Sequence, residues 1–268
     1  MKLQDFPIAI ALFTLFGLSC TPETTLEPRE VDWGYEYYPL QLGLSWTYEV
    51  DSVYYLSDGE VGFRDTVSVR LREVLADTFT DLSGVRQYRL ERYIRAGADS
   101  TWVFAGVAAM SRTKRQAIRQ EGNFRLIRLP FPLALGGIWQ PAAHFDEQAF
   151  ITIGSQPVTV FEAWSFQVLD TAGAFQLGDA SLDQVVTVEN RSADLDPFTR
   201  RRVVERYAPG IGLVSREMDI LDTDCLLCCD DNADGGYDLL DTTICAEVPW
   251  DERAEVGFLL RQKLIAFE

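Results

Sequence analysis

A short acidic segment near the C-terminal end carries residue types whose spacing could bind a hard cation. With Asp230 as position 1, oxygen-bearing side chains fall at positions 1, 3, 5, 9 and 12, and glycine occupies position 6. Calcium loops use this spacing because one stretch of chain must wrap a single ion and turn sharply at the glycine. The candidate calcium ligands are Asp230, Asn232, Asp234, Gly236, Asp238 and Asp241.

The acidic loop has two interpretations. Aspartate at position 12 makes it similar to dockerin-type calcium loops, whereas EF-hands place glutamate there. No strong helix pattern flanks the loop, and the chain has 41 acidic residues against 24 basic ones. A solvated acidic loop without a metal ion is therefore the alternative to a calcium site.

Four cysteines surround the acidic loop, within an insertion that spans 222–247. In an oxidising compartment, an even number of cysteines in a segment too small to hold its own core indicates disulfides. We expect two disulfides, one of which joins Cys245 to a cysteine of the Cys225–Cys229 cluster. A zinc site with four thiolate ligands is the alternative. The four residues are Cys225, Cys228, Cys229 and Cys245.

Catalytic patterns are scarce in the sequence. His144 is the single histidine, so any triad would have one candidate base, and its loop context favours a surface or turn histidine. The sequence contains no GxGxxG, Walker or Gly-x-Ser-x-Gly motif, and no spacing selects a pair among the many carboxylates. We therefore expect a protein that is not an enzyme, with a carboxylate-based hydrolase as the weakest alternative.

The N-terminus predicts export. Lys2 precedes an apolar stretch from Phe6 to Leu18, which is shorter than the roughly 20 residues that span a bilayer and suits a signal peptide over 1–19. Ser19 and Cys20 resemble the end of a lipobox, with Leu18 one position nearer the cysteine than usual. We predict that Cys20 is lipidated and that 20–31 is a polar tether. An ordinary signal peptide with a coincidental cysteine is the alternative.

Beyond the tether, alternating apolar and polar residues predict an all-β fold. Val67, Val69 and Leu71 share one face of a strand whose other face is polar, and the segment Phe258 to Phe267 alternates in the same way. Other strands are expected around 86–95, 101–111, 123–130, 158–168, 183–190, 201–208 and 213–221. A short helical turn is expected near 251–255. The expected architecture is an antiparallel meandering sheet or open half-barrel, with a disulfide-pinned insertion.

An internal repeat suggests two related β units, over 32–130 and 131–268. The segment Tyr38 to Trp46 returns as Phe131 to Trp139, shifted by 93 residues with five identities. A weaker echo relates 90–93 to 204–207. Proline braces a turn, glycine adopts backbone shapes closed to other residues, and tryptophan opens a core strand. Chance similarity of two turns is the alternative. The structural motif residues are Pro39, Gly43, Trp46, Pro132, Gly136, Trp139, Gly210 and Gly212.

These motifs carry a family resemblance. The pattern Tyr-Pro-Leu-x-x-Gly-x-x-Trp-x-Tyr from Tyr38 to Tyr48, with Tyr-Ala-Pro-Gly-x-Gly-Leu-Val from Tyr207 to Val214, resembles a group of uncharacterised exported lipoproteins of Bacteroidota. The second pattern is also similar to periplasmic β proteins related to lipoprotein-carrier half-barrels. The first resemblance implies export and lipid anchoring without an assigned activity, and the second is an analogy of fold alone.

The overall balance of residues narrows the partners. A formal net charge of −17 disfavours nucleic acid, which needs clustered lysine and arginine, and no segment after the signal is apolar enough to cross a membrane. We expect a non-enzymatic protein anchored by lipid to the outer membrane, on its periplasmic or cell-surface face. It would bind an apolar ligand in a cavity of the sheet, or an envelope protein through an exposed patch on a sheet with a filled core.

The anchor can be tested directly. In a Cys20→Ser variant, the protein should move from the membrane to the soluble fraction, because acyl chains are the single membrane attachment that the sequence predicts. Mass spectrometry of the native protein should find diacylated Cys20 as the first residue. A free thiol at Cys20, or a retained Met1, would contradict the prediction.

Overall fold

The computed structural model describes residues 31–57, 62–97, 100–223 and 247–268. Within them the all-β, antiparallel prediction is confirmed: thirteen strands form one sheet and two more form a separate hairpin. The strands are β1 (Ser45–Ser57), β2 (Gly62–Thr80), β3 (Arg86–Arg95), β4 (Val103–Arg112), β5 (Gln116–Glu121), β6 (Phe124–Pro130), β7 (Ile138–Trp139), β8 (Ile151–Ile153), β9 (Gln156–Val158), β10 (Phe166–Leu177), β11 (Ala180–Asn190), β12 (Asp194–Asp196), β13 (Thr199–Ala208), β14 (Gly212–Asp222) and β15 (Val256–Phe267). The helical elements are a 3-10 turn (Tyr35–Tyr37) and α1 (Trp250–Arg253).

The large sheet is a meander that nearly closes on itself. Its order is β6-β5-β4-β3-β2-β1-β15-β14-β13-β11-β10-β7, with the short β12 paired to β13 beside this path. The first and last strands therefore pair in the middle, and β6 and β7 form the edges. The edges meet at Ile127, whose N–H donates to the carbonyl of Pro141 at 2.9 Å. The indole Nε1–H of Trp139 donates to the carbonyl of Ile127 at 3.0 Å. These bonds satisfy backbone groups that an open sheet edge would leave unpaired.

Alternation along the strands sets which side chains face the interior. In β1, Trp46, Tyr48 and Val50 are buried, whereas Glu49 between them is exposed. Leu71 of β2 lies opposite Tyr48 and is buried with it, as the period of two predicts. The confirmed strands include those expected around 86–95, 123–130, 201–208, 213–221 and 258–267.

One secondary-structure prediction was wrong, and strand β5 was missed. The segment 158–168 is not one strand: residues after β9 turn, with Ala163 at a φ of 51°, and β10 begins at Phe166. The apolar residues of segment 158–168 fill the interior from a loop, so the segment has the composition of a buried strand without forming one. Strand β5 was not predicted, because Arg119 and Glu121 face the interior and hide the usual alternation.

The two repeated segments are equivalent in structure. Gly43 N–H donates to Leu75 O at 2.9 Å, and Gly136 N–H donates to Val168 O at 2.9 Å; each acceptor lies 93 residues from the other. Both glycines have positive φ, 89° and 77°. Trp46, the second residue of β1, lies opposite Glu73, and Trp139 of β7 lies opposite Phe166, again 93 residues apart. Both indoles are buried, at 4% and 9% exposure.

The weaker echo does not extend this equivalence. Glu91 and Tyr93 lie on the outer face of β3, while Glu205 and Tyr207 lie on the inner face of β13. Each tyrosine hydroxyl donates to its glutamate at 2.6 Å, so the shared feature is this local hydrogen bond. The strands themselves occupy different places in the two halves of the meander. Residues 32–268 form one compact unit. The boundary at residue 131 between the two predicted β units therefore stays a prediction.

A segment of tyrosines closes the end of the sheet at which β1 begins. We call Tyr35–Tyr38 the tyrosine plug. Its hydroxyl groups donate to three separate carbonyls, from Tyr35 to Lys114, from Tyr37 to Gln184 and from Tyr38 to Ile118. The carbonyl of Glu36 also accepts from the N–H of Gly210 at 2.9 Å. The plug therefore joins turns and strands from both halves of the sheet.

An aromatic cluster fills the interior toward the opposite end. Phe161 packs against Phe124 and Phe145 with ring centroids 4.7 and 5.0 Å apart, and it also contacts Trp164 at 5.0 Å. Trp164 continues the cluster to Phe166 at 5.3 Å. Such ring pairs stabilise a core beyond their buried area. The interior is thus occupied from both ends.

The buried tryptophans generate a stability prediction. Trp46→Ala and Trp139→Ala should each lower the free energy of unfolding by about 3–5 kcal/mol, because each loses a core ring and a hydrogen bond to a backbone carbonyl. Trp33→Ala is the control, since Trp33 is 40% exposed, and it should cost clearly less. Urea unfolding followed by circular dichroism gives these values. A loss for Trp33→Ala as large as the other two would contradict the core role of the motif tryptophans, and clearly unequal losses for Trp46→Ala and Trp139→Ala would contradict their equivalence.

Candidate functional site

Many of the predicted site residues lie outside the described residues. These are Cys20, the four cysteines Cys225, Cys228, Cys229 and Cys245, and the acidic loop from Asp230 to Asp241, so lipidation, disulfides and calcium stay predictions. The described flanks do show where the insertion begins and ends. Asp222 of β14 lies opposite Val256 of β15, so the two flanking strands are an antiparallel pair, and the insertion between them stays a prediction.

His144 lies exposed in the turn that follows β7, as the sequence predicted. Partial burial lowers its pKa from the usual value, and the charge of Arg125 lowers the pKa further. In the described ranges, no group of three or more histidine, cysteine, aspartate or glutamate residues could hold a metal ion. No helix of the described chain is long and apolar enough to cross a membrane.

The sheet interior contains an ion-pair network that the sequence reasoning missed. Glu73 of β2 is 2% exposed, and Arg119 of β5 is 8% exposed. Arg119 donates to both carboxylate oxygens of Glu73, at 2.9 and 2.5 Å, and its Nε–H donates to Glu121 at 2.6 Å. Arg92 of β3 completes the group, with its Nε 3.2 Å from Glu73. We call these four residues the first network; two carboxylates balance two guanidinium groups.

The charges in the first network fix its protonation. Burial alone would raise the pKa of Glu73, but the guanidinium groups of Arg119 and Arg92 outweigh it and lower that pKa below its usual value. The pKa of Glu121 falls to about 2 for the same reason, although its side chain is about one third exposed. Both carboxylates are therefore ionised at neutral pH. A bidentate pair of this kind is among the strongest side-chain hydrogen bonds.

A second network joins the other half of the sheet to the edge strand β6. Glu205 of β13 is fully buried and accepts hydrogen bonds from Arg216 Nε at 2.7 Å and from the Tyr207 hydroxyl at 2.6 Å. Arg128 of β6 also forms a salt bridge with Glu205. Burial lowers the pKa of Arg128, and the nearby Arg216 adds to this effect. One carboxylate here meets two guanidinium groups.

The two networks leave little free volume between them. A cavity of about 30 Å³ lies beside them, lined by Tyr38, Tyr48, Arg119, Arg128 and Tyr207 among others. This volume is close to that of one water molecule. Burial raises the pKa of both Tyr38 and Tyr48, so their hydroxyls stay protonated and donate to backbone carbonyls. The arrangement suits structural support and leaves no room here for an organic ligand.

The first network had a sequence signal. Val67, Val69 and Leu71 were assigned to one face of β2, and the same parity continues through Glu73 to Leu75. A glutamate between two core positions implies a buried partner of opposite charge. Its partner could not be found from sequence, because Arg119 belongs to the strand that was not predicted.

The outer face of the first half carries an apolar patch. We call Phe79, Tyr93, Phe104 and Val107 the outer patch. Tyr93 and Phe104 are cross-strand neighbours with ring centroids 5.7 Å apart, and Phe104 and Val107 are exposed at 54% and 45%. Phe79 and Val107 line an open groove of about 480 Å³, with a polar rim that consists of Asp81, Gln87, Arg89 and Gln120.

Comparison with known proteins gives the following. No protein-family model matches the chain, and no curated protein matches it in sequence. Two solved structures are similar in part. One is a presumed exported protein with a YmcC-like fold from Bacteroides fragilis, with a TM-score of 0.40, 12% identity and coverage of 87% of this chain and 98% of that one. The other is a presumed lipoprotein from Parabacteroides distasonis, with a TM-score of 0.32, 11% identity and the same coverages. At these scores neither structure supports a conclusion about this chain.

The first network predicts a large mutational effect. Glu73→Gln should lower the free energy of unfolding by about 3–5 kcal/mol, because it leaves buried guanidinium charge without its carboxylate. Glu49→Gln is the matched control: Glu49 lies on the outer face of the neighbouring β1, pairs with Arg70 at 3.6 Å and is half exposed. It should cost no more than about 1 kcal/mol. Urea unfolding at neutral pH compares the two, and similar losses would contradict the network's role.

The same network predicts a direction for pH dependence. Because the folded pKa values of Glu73 and Glu121 lie below their unfolded values, their stabilisation is complete above the unfolded pKa, about 4.3. It is lost as the pH falls through the folded pKa, which for Glu121 is about 2. Unfolding free energies measured from pH 5 to pH 2 should therefore fall less steeply in Glu73→Gln than in the unchanged chain. Parallel curves would be the contrary result.

Proposed function

We propose that this chain is a lipid-anchored protein of the cell envelope that acts without catalysis and binds a partner protein through the outer face of its sheet. The observation that carries the proposal is the filled interior. Tyrosines enter from one end, an aromatic cluster occupies the other, and the ion-pair networks lie between them. A sheet with a filled interior offers its outer surface for recognition.

An internal apolar ligand is less well supported by this interior. A small-molecule site usually needs about 300 Å³ or more with mostly apolar walls. The cavity beside the networks has about 30 Å³, and arginines and tyrosine rings form much of its wall. A fatty acyl chain there would have to displace buried ion pairs, which would leave uncompensated charges.

The arrangement of carboxylates also favours a role other than catalysis. A hydrolase of the two-carboxylate type needs one carboxyl group with a raised pKa and access to substrate. Glu73 and Glu121 instead have lowered pKa values, and both are bound by arginines. Glu205 is fully buried between Arg216 and Tyr207. These carboxylates are suited to holding strands together.

The outer patch has the composition of a recognition surface. Exposed aromatic residues with a polar rim are enriched where proteins contact one another. Phe104 and Tyr93 form an edge-on pair on the surface, and Arg89 and Asp81 lie at the rim of the adjoining groove. The proposed signal peptide and lipid anchor place this surface in the envelope, and the partner is therefore an envelope protein.

Site-specific photo-crosslinking in the native envelope tests the proposal. A photo-reactive residue at Val107 should give one discrete protein adduct, and the substitution Phe104→Glu should abolish it without changing the amount of protein. Leu169 is the matched control: it is exposed to a similar extent, at 47% against 45%, on β10 in the other half of the sheet. Equal adducts at Val107 and Leu169, or an adduct that survives Phe104→Glu, would contradict a specific outer patch.

A further inference from the structure

The chain enters the sheet at a surface whose chemistry differs from that of the whole protein. Val31 and Trp33 are exposed at 51% and 40%, and Leu135 is exposed at 68% in the second repeated turn. The carbonyl of Trp33 accepts from the N–H of Leu133, so the two segments touch. Two large apolar side chains of the sheet unit, those of Trp33 and Leu135, thus lie close to the point at which that unit begins.

Basic residues lie beside these apolar side chains. The turn between β4 and β5 carries exposed Arg112, Lys114 and Arg115. Tyr35 joins this turn to the chain entry: its ring stacks on Trp33, its hydroxyl donates to Lys114 O at 3.0 Å, and the Arg112 guanidinium lies 4.6 Å above its ring centroid.

A further bond links the basic turn to the second repeat, where Phe131 N–H donates to Arg115 O at 2.7 Å. Asp32 and Glu36 are the acidic residues on the entering segment. Counted over these two segments, three basic groups stand against two acidic ones, which is a local excess of positive charge in a chain of net charge −17.

We infer that this surface, which we call the entry face (Trp33, Leu135 and the turn Arg112–Arg115), rests on the lipid bilayer that holds the acyl chains of Cys20. The inference rests on the proposed lipid anchor. Tryptophan with neighbouring arginine and lysine is the combination that favours the headgroup region of a membrane. A locally positive surface also attracts anionic lipids, which would repel the rest of this acidic protein.

The length of the tether supports the bilayer as the occupant. Ten residues lie between Cys20 and Val31, and the eleven steps from one to the other span at most roughly 40 Å when fully extended. An anchor at Cys20 therefore keeps the start of the described chain, and with it Trp33, within about that distance of the membrane. Residue Trp102 precedes β4, which runs toward the basic turn, so it lies at the opposite end of that strand.

Quenching of tryptophan fluorescence by brominated lipid tests the inference. The full lipidated protein is reconstituted in vesicles of phosphatidylethanolamine and phosphatidylglycerol whose acyl chains carry bromine, and its quenched fraction is compared with that in unbrominated vesicles. Trp33→Phe should reduce the quenched fraction by roughly half or more, because an interfacial tryptophan lies within reach of the bromine atoms. Trp102→Phe is the matched control and should leave it unchanged. The double variant K114E/R115E, on exposed positions, should also reduce quenching.

Flotation of the same vesicles separates the two levels of the proposal. Protein that floats while Trp33→Phe leaves quenching unchanged would overturn the entry face and leave the anchor intact. Protein that fails to float would contradict the lipid anchor, and the entry face with it. A protein adduct from a photo-reactive residue at position 33 in the native envelope, together with unchanged quenching, would show that another protein covers this face. Floating protein with quenching that depends on Trp33 is the expected result.

Discussion

The bidentate pair between Glu73 and Arg119 is the interaction on which the interior depends. It joins β2 to β5 across two intervening strands, inside a sheet whose other inward residues are mostly apolar or aromatic. Burying a pair of charges costs free energy, and removing one partner costs more because it leaves the other charge buried and uncompensated. Because Arg92 and Glu121 complete the group, the charges balance and the strands that carry them are held in a fixed register. The interior is therefore specified by polar groups as well as by burial.

Closure of the sheet follows from the repeated turns. In each half, a glycine with positive φ lets the backbone of the turn donate a hydrogen bond to a neighbouring strand, to β2 in the first half and to β10 in the second. A buried tryptophan lies in the strand that follows each turn. In the second half this tryptophan also donates to Ile127 on the facing edge, so the same motif that begins a strand closes the meander. The first motif directly follows the tyrosine plug, and its Pro39 lies so close to Gly212 that a side chain at that glycine would meet the proline ring. Local backbone geometry and overall closure thus have a common origin.

Much of this fold could be predicted from the sequence, and the reasons for the exceptions are physical. Alternation found strands such as β3 and β14, because a half-buried strand shows its period of two directly. The repeat pointed to Trp46 and Trp139, which are both buried, because glycine and proline constrain turns in a recognisable way. Strand β5 was missed because its inward face carries Arg119 and Glu121. The networks depend on partners far apart in the chain, from Glu73 to Arg119 and from Arg128 to Glu205, and spacing along one sequence does not reveal such pairs.

A sheet whose interior is filled and partly ionic must act through its outer surface. Native mass spectrometry of the protein extracted from its own envelope shows whether the folded chain retains a small molecule. We expect a single species whose mass equals that of the lipidated chain, apart from any ions bound by the acidic insertion. A retained apolar molecule of a few hundred daltons at one equivalent, released on unfolding and lost in a variant that disrupts the Glu73–Arg119 pair, would contradict it.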